Sequence, residues 1–430
     1  MMPAERKSKR VAMIVHRVGP YHFARARAAG KILTTTLVEM FKGDDIYKWD
    51  MVSGSDGFER LTLFATQPKS TRVVTEGLCA ALDHCQPDAV AVPGWADAVA
   101  LGAMKWCRSR QIPAIVMSES TEWDEPRKPW KEWIKRRFLS MAAAGFVGGQ
   151  PHAEYMTKLG VPNDRVFEGY DAVDNDYFAG EAAKWQKLKA ETLKSDNEDR
   201  AANGSTQSSA ISHLPSSPFF LASARFVEKK NLLRLIQAYA RYRTLAENAK
   251  RLKSETLELG LWDLVLLGDG PLNAAINSQL SNLKLAGHIH LPGFKQYDEL
   301  PAYYGLASAF IHASTTEQWG LVVNEAMASG LPVLVSNRCG CAQDLVQEGV
   351  NGFTFDPYDV EQMAQLMFRF SAFPSLKLSE FGSASQRIIA EWGPERFAKG
   401  MCEAVNMALS VSPPRASVFD RLLLKLLLMK

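Results

Sequence analysis

At 430 residues, of which 47% are apolar, the chain can bury two ordinary hydrophobic cores. Fifty Lys and Arg against forty-seven Asp and Glu leave a net charge of +3, too balanced for a general nucleic-acid binder. The six cysteines (Cys79, Cys85, Cys107, Cys339, Cys341, Cys402) show neither a C-x-x-C pair nor a histidine cluster at zinc spacing, so reduced thiols are expected. Cys339 and Cys341 are too close in sequence for an unstrained disulfide. The basic start "MMPAERKSKR" leads into one short strand, which does not read as a signal peptide. No run reaches the roughly 20 apolar residues that span a bilayer.

In chain order, "VAMIVH" (11–16) reads as a strand and "GPYHFARARAAGKIL" as a turn into a helix. "DAVAVPGWADAVALGAMKWC" repeats the pattern, with a strand to Val92, a loop at Pro93-Gly94-Trp95 and a helix. "IPAIVMSES" is a further strand, and "AAGFVGGQPHAEYMTKLG" a strand, a glycine turn and a helix ending at Gly160. After a polar stretch, "FFLASARFVEKKNLLRLIQAYARYR" starts a second series, followed by "DLVLLGDGPLNAAINSQL", "HIHLPGF", "SAFIHASTTEQWGLVVNEAMASGLPVLVS" and "GFTFDP". Alternating strands and helices imply parallel sheets covered on both faces. The fold class is therefore α/β, with two Rossmann-like, doubly wound domains facing a cleft, where hinge closure would enclose a substrate. Between them, 187–217 is rich in Ser, Asn and Ala and lacks a sustained helical period after about Lys194, as expected of a linker or insertion.

Two features of the second half point to a diphosphate. Arg225 is followed five residues on by Lys230, in a loop that enters a helix near Asn231. Arginine forks two phosphate oxygens, and lysine adds a compact charge. In "TTEQWGLVVNEAMASGLPVLVS" the backbone N–H groups of Gly320, Leu321 and Val322 would face the same anion at a helix start. Each residue by itself has a bland reading: surface charges for Arg225 and Lys230, a macrodipole partner for Glu325, an idle loop carboxylate for Glu317. Together they are harder to dismiss, because carboxylates beside a phosphate repel it unless neutral donors occupy them. Sugar hydroxyls are such donors. Glu325 would then hold a ribose and Glu317 a hexose, so the ligand is a nucleotide sugar.

Glu317 and Glu325, inside "EQWGLVVNEAMASGLPV", resemble the E-x7-E signature of family 4 retaining glycosyltransferases of the GT-B fold. "ARFVEKKN", "LLGDGPL", "LPGF" and "VQEGVNGFTFDP" match that family's pieces in order. The resemblance covers roughly 10–180 and 218–410. It implies an acceptor-binding domain at 10–180, a nucleotide-sugar domain at 218–390 and a crossover helix at 391–410; composition adds a polar linker or insertion at 181–217 and an apolar, basic tail at 411–430. The resemblance also implies that Glu325 binds the donor ribose, Glu317 meets the donor sugar, and Arg225 and Lys230 hold the diphosphate. The first loop, "HRVGPYH", departs from the family's Gly-Gly pair and offers only Gly19 to the donor. His16 and His22 stand where relatives place an acceptor-side histidine, or cap and pack a helix. Trp95 stands to stack on an acceptor sugar or to fill the core.

Expected is a hexosyl transfer to a hydroxyl of a glycan or lipid-linked acceptor, with retained anomeric configuration. Same-face attack is favoured over a double displacement with Glu317 as nucleophile. No D-x-D-like metal motif stands in a matching context, so the cations are expected to do the work of a metal, with no cofactor beyond the co-substrate. Rival readings are a nucleotide-sugar epimerase, a phosphorylase, or a non-catalytic glycan-binding relative. "RKPWKEWIKRRFLSM" sets Trp130, Trp133, Ile134, Phe138 and Met141 on one helical face among basic residues, and "SVFDRLLLKLLLMK" is apolar but short. Both suggest peripheral attachment of a cytoplasmic protein to an anionic membrane.

Overall fold

The computed structural model describes residues 8–43, 51–198, 214–252, 260–412 and 417–429. Its contacts divide the chain into two compact units, one built from the residues up to Asp174 together with those from Trp392 onward, the other from Asn175–Glu391.

The first unit contains β1 (Arg10–Val15), α1 (Pro20–Gly30), β2 (Thr34–Phe41), β3 (Glu59–Phe64), α2 (Thr71–Cys85), β4 (Ala89–Pro93), α3 (Ala98–Arg110), β5 (Ala114–Ser118), α4 (Pro129–Leu139), β6 (Ala144–Val147), α5 (Gln150–Lys158) and β7 (Val166–Glu168). The strands form a parallel sheet in the order β3-β2-β1-β4-β5-β6-β7. The inner strands are buried along nearly their whole length, as a sheet covered on both faces requires. The sequence reading passed over β2, whose three threonines and Glu39 interrupt the apolar run. Glu39 is buried yet accepts hydrogen bonds from Val18 N–H at 2.8 Å, Arg60 at 2.9 Å and Thr62 at 2.6 Å, which compensates its charge.

The second unit contains α6 (Asn175–Glu198), β8 (Phe219–Ser223), α7 (Leu232–Leu252), β9 (Asp263–Leu267), α8 (Asn273–Asn282), β10 (Ile289–Gly293), α9 (Leu300–Leu306), β11 (Ala309–His312), α10 (Leu321–Ala328), β12 (Val333–Ser336), α11 (Ala342–Leu345), β13 (Gly352–Phe355), α12 (Val360–Ser371) and α13 (Ser375–Ala390). Its parallel sheet runs β10-β9-β8-β11-β12-β13. The chain then returns to the first unit as α14 (Pro394–Ser410) and α15 (Val418–Leu428). Phe397, Met401 and Val405 of α14 share a core with Met13, Leu37 and Ile115.

One expectation is corrected. Residues 181–198 are not linker but the body of α6, which belongs to the second unit and packs on α9. Ala182 is buried there, and the Gln186 and Lys189 side chains donate to the carbonyls of Ser329 and Leu306. Tertiary contact supplies what the polar sequence lacks in periodicity. The rest of the expected linker, 199–213, lies outside the described residues.

In each sheet the strand order reverses once, between β1 and β4 and between β8 and β11. In open α/β sheets, ligands bind outside the carboxyl ends of the strands at such a reversal.

Candidate active site

In the second unit β8 and β11 lie side by side, with Phe220 opposite Ala309 and Leu221 opposite Phe310. Each runs from its carboxyl end into a loop that carries candidate residues. Two contacts tie these loops together: Thr315 N–H donates to the Lys229 carbonyl at 2.8 Å, and the Asn231 amide donates to the Ala313 carbonyl at 3.0 Å. The same amide donates to the Pro357 carbonyl, beyond β13, at 2.7 Å. Asn231 adopts the left-handed conformation that asparagine tolerates, which ends the short helical turn Glu228–Lys230 and opens α7. The loop after β9 closes on the same backbone. Phe226 N–H donates to the Asp269 carbonyl at 2.8 Å, and Leu272 N–H to the Phe226 carbonyl at 3.0 Å. Gly268 has φ +137°, and a Cβ there would stand 1.8 Å from the Ala224 carbonyl oxygen, so "ARFVEKKN" and "LLGDGPL" fit together only through glycine.

This arrangement delivers Lys230 to Glu317, and the two form an ion pair. The Lys229 ammonium lies 3.9 Å from the same carboxylate, His312 Nε2 3.5 Å, and the Ser314 hydroxyl 3.4 Å. Burial pushes the Glu317 carboxyl up, but Lys230, the hydrogen bond from His312 and Lys229 together hold it well below its ordinary value. Burial lowers His312 against the opposing hydrogen bond with Glu317, and Lys230 adds to the lowering, which favours the neutral imidazole. Backbone bonds fix the loop: Glu317 N–H to the Arg338 carbonyl, Gly340 N–H to the Glu317 carbonyl and Cys341 N–H to the Trp319 carbonyl. Cys339 and Cys341 are buried thiols in that lacing, neither of them in a disulfide, and burial raises Cys339.

Gly320 precedes α10 at φ 109° and ψ 60°, so the chain turns from Glu317 into the helix through a left-handed residue. Leu321 and Val322 form the half-buried first turn, whose N–H groups have no partner within the helix. Glu325 sits one turn further on and is fully buried; it accepts the Tyr304 hydroxyl at 2.6 Å. Arg225 is exposed on the β8 loop. Sequence reasoning missed Lys229, His312, Ser314 and Tyr304. His312 carried a faint signal as a polar residue closing an apolar strand, whereas Tyr304 comes from α9 and carried none.

Residues 206–377, which include all of these positions, match the family model of glycosyl transferases group 1. The second unit is similar to that family. Alpha-monoglucosyldiacylglycerol synthase from Acholeplasma laidlawii is 26% identical over 187 residues, 43% of this chain and 42% of that protein. Sulfoquinovosyl transferase SQD2 from Arabidopsis thaliana is 39% identical over 101 residues, 23% of this chain and 19% of that protein. The chain thus spans less than half the length of these curated relatives. Among solved structures, a glycosyltransferase from Rickettsia africae superposes with a TM-score of 0.65 at 14% identity, covering 94% of this chain and 100% of that one. Anabaena Alr3699/HepE in complex with UDP-glucose gives 0.62 at 15% identity, covering 92% and 99%. The shared fold is two parallel-sheet α/β units, as in GT-B glycosyltransferase structures.

In the first unit, the β1 and β4 loops bring His16 Nε2 to within 2.5 Å of Asp97 Oδ2, while Asp97 Oδ1 caps α3 by accepting Ala100 N–H at 2.9 Å. Burial pushes Asp97 up, but the His16 hydrogen bond and the backbone donors hold it below its ordinary value. Asp97 was missed, though an aspartate just before a helical run is an N-cap signal. His22 caps α1 by accepting Gly19 N–H on Nδ1 at 3.3 Å; burial, then Arg25 and His16, lower it to about 3. Gly19 and His22 are thus engaged with each other. Trp95 is half-buried against the core, with the Lys135 ammonium 5.6 Å from its ring centre. A surface cavity of about 420 Å³, lined by Lys31, Leu33, Thr35 and Glu59 among others, opens at the amino-terminal end of β2, whereas the β1 and β4 loops leave the carboxyl ends of their strands.

Proposed function

We propose that the chain is a family 4 retaining glycosyltransferase that moves a hexose from a nucleotide-diphosphate sugar to a hydroxyl of a glycan or lipid-linked acceptor. The observation that carries this reading is the joining of Lys229, Lys230 and Glu317 with the start of α10 at the strand-order reversal, inside a segment that matches glycosyl transferases group 1. Two ammonium groups over one carboxylate remove the repulsion that Glu317 would otherwise present to a diphosphate. Arg225 and the first N–H groups of α10 add donors for phosphate oxygens.

The bond that breaks joins the anomeric carbon to the β-phosphate oxygen; the bond that forms joins that carbon to the acceptor oxygen on the same face. The departing phosphate oxygen takes the acceptor's proton. Arg225 and Lys230 stabilise the charge that develops on the leaving diphosphate, so the reaction runs without a metal. Glu317 meets the hexose, and Glu325 the ribose diol. His22 and Trp95 are the acceptor-side candidates, with His16, paired with Asp97, as the alternative histidine.

UDP-glucose, which Alr3699/HepE binds, is the first donor to test. A thermal-shift panel of UDP-, GDP-, ADP- and CDP-sugars should show stabilisation by one nucleotide class. Release of that free nucleotide should then depend on added acceptor. Stabilisation without any nucleotide release would identify a glycan-binding relative, and sugar interconversion without acceptor an epimerase.

A further inference from the structure

The first unit carries a second feature, on α4 and α15. Arg137 of α4 pairs with Asp420 of α15, 283 residues away, and the Trp133 and Phe419 rings meet edge to face at 5.7 Å. Ser417 caps α15: Asp420 N–H donates to its hydroxyl at 3.1 Å, and Ser417 N–H donates back to the Asp420 carboxylate at 2.9 Å. Inward, Leu424 is buried, and Leu427 and Leu428 pack on the core that includes α3. That face is enough to hold the helix.

α15 nevertheless has a second apolar face. Val418, Leu422, Leu426 and Met429 are 83%, 53%, 53% and 75% exposed and recur every three to four residues, as a single solvent-facing stripe. Trp130 at 57% and Trp133 at 45% extend the apolar surface onto α4. The face of α4 expected from sequence is thereby divided, because Phe138 and Met141 are buried in the core. Lys128, Lys131, Arg136, Arg421 and Lys425 are exposed around the stripe. The acids of these two helices, Glu132 and Asp420, are spent internally, Glu132 on Lys135 at 3.0 Å and the Tyr155 hydroxyl at 2.8 Å, and Asp420 on Arg137. What faces solvent on α4 and α15 is therefore apolar or cationic.

We propose that α4 and α15 together form a docking surface for an anionic lipid bilayer. Exposed aliphatic side chains would enter the acyl boundary, the tryptophans would sit at headgroup level, and the cations would meet lipid phosphates. An eleven-residue helix is about 16 Å long, against roughly 30 Å of hydrocarbon, so α15 lies in the plane of the interface. A second copy of this chain fits the same surface poorly, since it would set cations against cations. The surface belongs to the first unit and the donor site to the second, and its test needs no transfer assay.

The full chain should float with phosphatidylcholine vesicles that contain phosphatidylglycerol and not with phosphatidylcholine alone. Leu422→Glu/Leu426→Glu should weaken that binding about tenfold or more, and Lys131→Glu/Lys425→Glu about tenfold with a reduced salt dependence. Trp133→Phe should bind nearly as the parent does. Circular dichroism should show each variant folded. No binding to anionic vesicles at low salt, or equal binding by folded parent and both double variants, overturns the proposal. So does a dimer that Leu422→Glu/Leu426→Glu dissociates in a protein that ignores vesicles.

Discussion

Lys230 and Glu317, 87 residues apart in sequence, form a mostly buried ion pair that joins the β8 loop to the β11 loop. Lys230→Met takes the nearest cation from the Glu317 carboxylate and leaves it Lys229, His312 and the Ser314 hydroxyl. Stability in urea should fall by on the order of 3 kcal/mol, the low end for breaking a buried pair. Lys230→Met/Glu317→Gln should recover part of that loss, with a coupling of roughly 1–3 kcal/mol in the double-mutant cycle. Additive effects would show the two side chains to be independent.

The two glutamates should separate by ligand. Glu325→Ala removes a ribose contact made in ground and transition states alike, so affinity for free nucleotide should drop by about 1.5–3 kcal/mol in titration calorimetry. Tyr304→Phe, which takes one hydroxyl from Glu325, should reproduce part of that drop. Glu317→Ala should leave nucleotide binding nearly intact while initial rates with the nucleotide sugar collapse, and Arg225→Ala should weaken both. The reverse pattern for the two glutamates would exchange their roles.

Gly268→Ala places a methyl where the Ala224 carbonyl already stands, at a φ that alanine rarely adopts. The β8 and β9 loops must part to admit it. We expect a loss of roughly 3 kcal/mol or more, read as a lowered urea midpoint, together with weaker nucleotide binding. An unchanged midpoint would mean that these loops do not depend on each other.

His22 should shape the acid response. Its folded value, about 3, lies below its ordinary 6.5, so the unfolded chain binds the proton more readily. Stability is therefore lost progressively as pH falls from about 6.5 towards about 3. His22→Asn keeps an acceptor for Gly19 N–H and does not titrate there. Its urea midpoint should fall less between pH 7 and pH 5 than that of the parent; identical slopes would remove His22 as the cause.

The sequence by itself determined the alternation of strands and helices, because buried parallel strands are nearly unbroken apolar runs, as in "VAMIV" and "AFIH". It also determined the Glu317–Glu325 spacing, since a loop entering a helix fixes that distance locally. Where polar residues interrupt the period it fell silent: β2 hides behind its threonines and Glu39, and α6 behind a charged surface whose burial comes from α9. Only the tertiary structure could pair Lys230 with Glu317, bring the Tyr304 hydroxyl to Glu325, or seat α15 beside α4. Those partners lie on different elements, and no local period encodes a meeting that the order of the strands brings about.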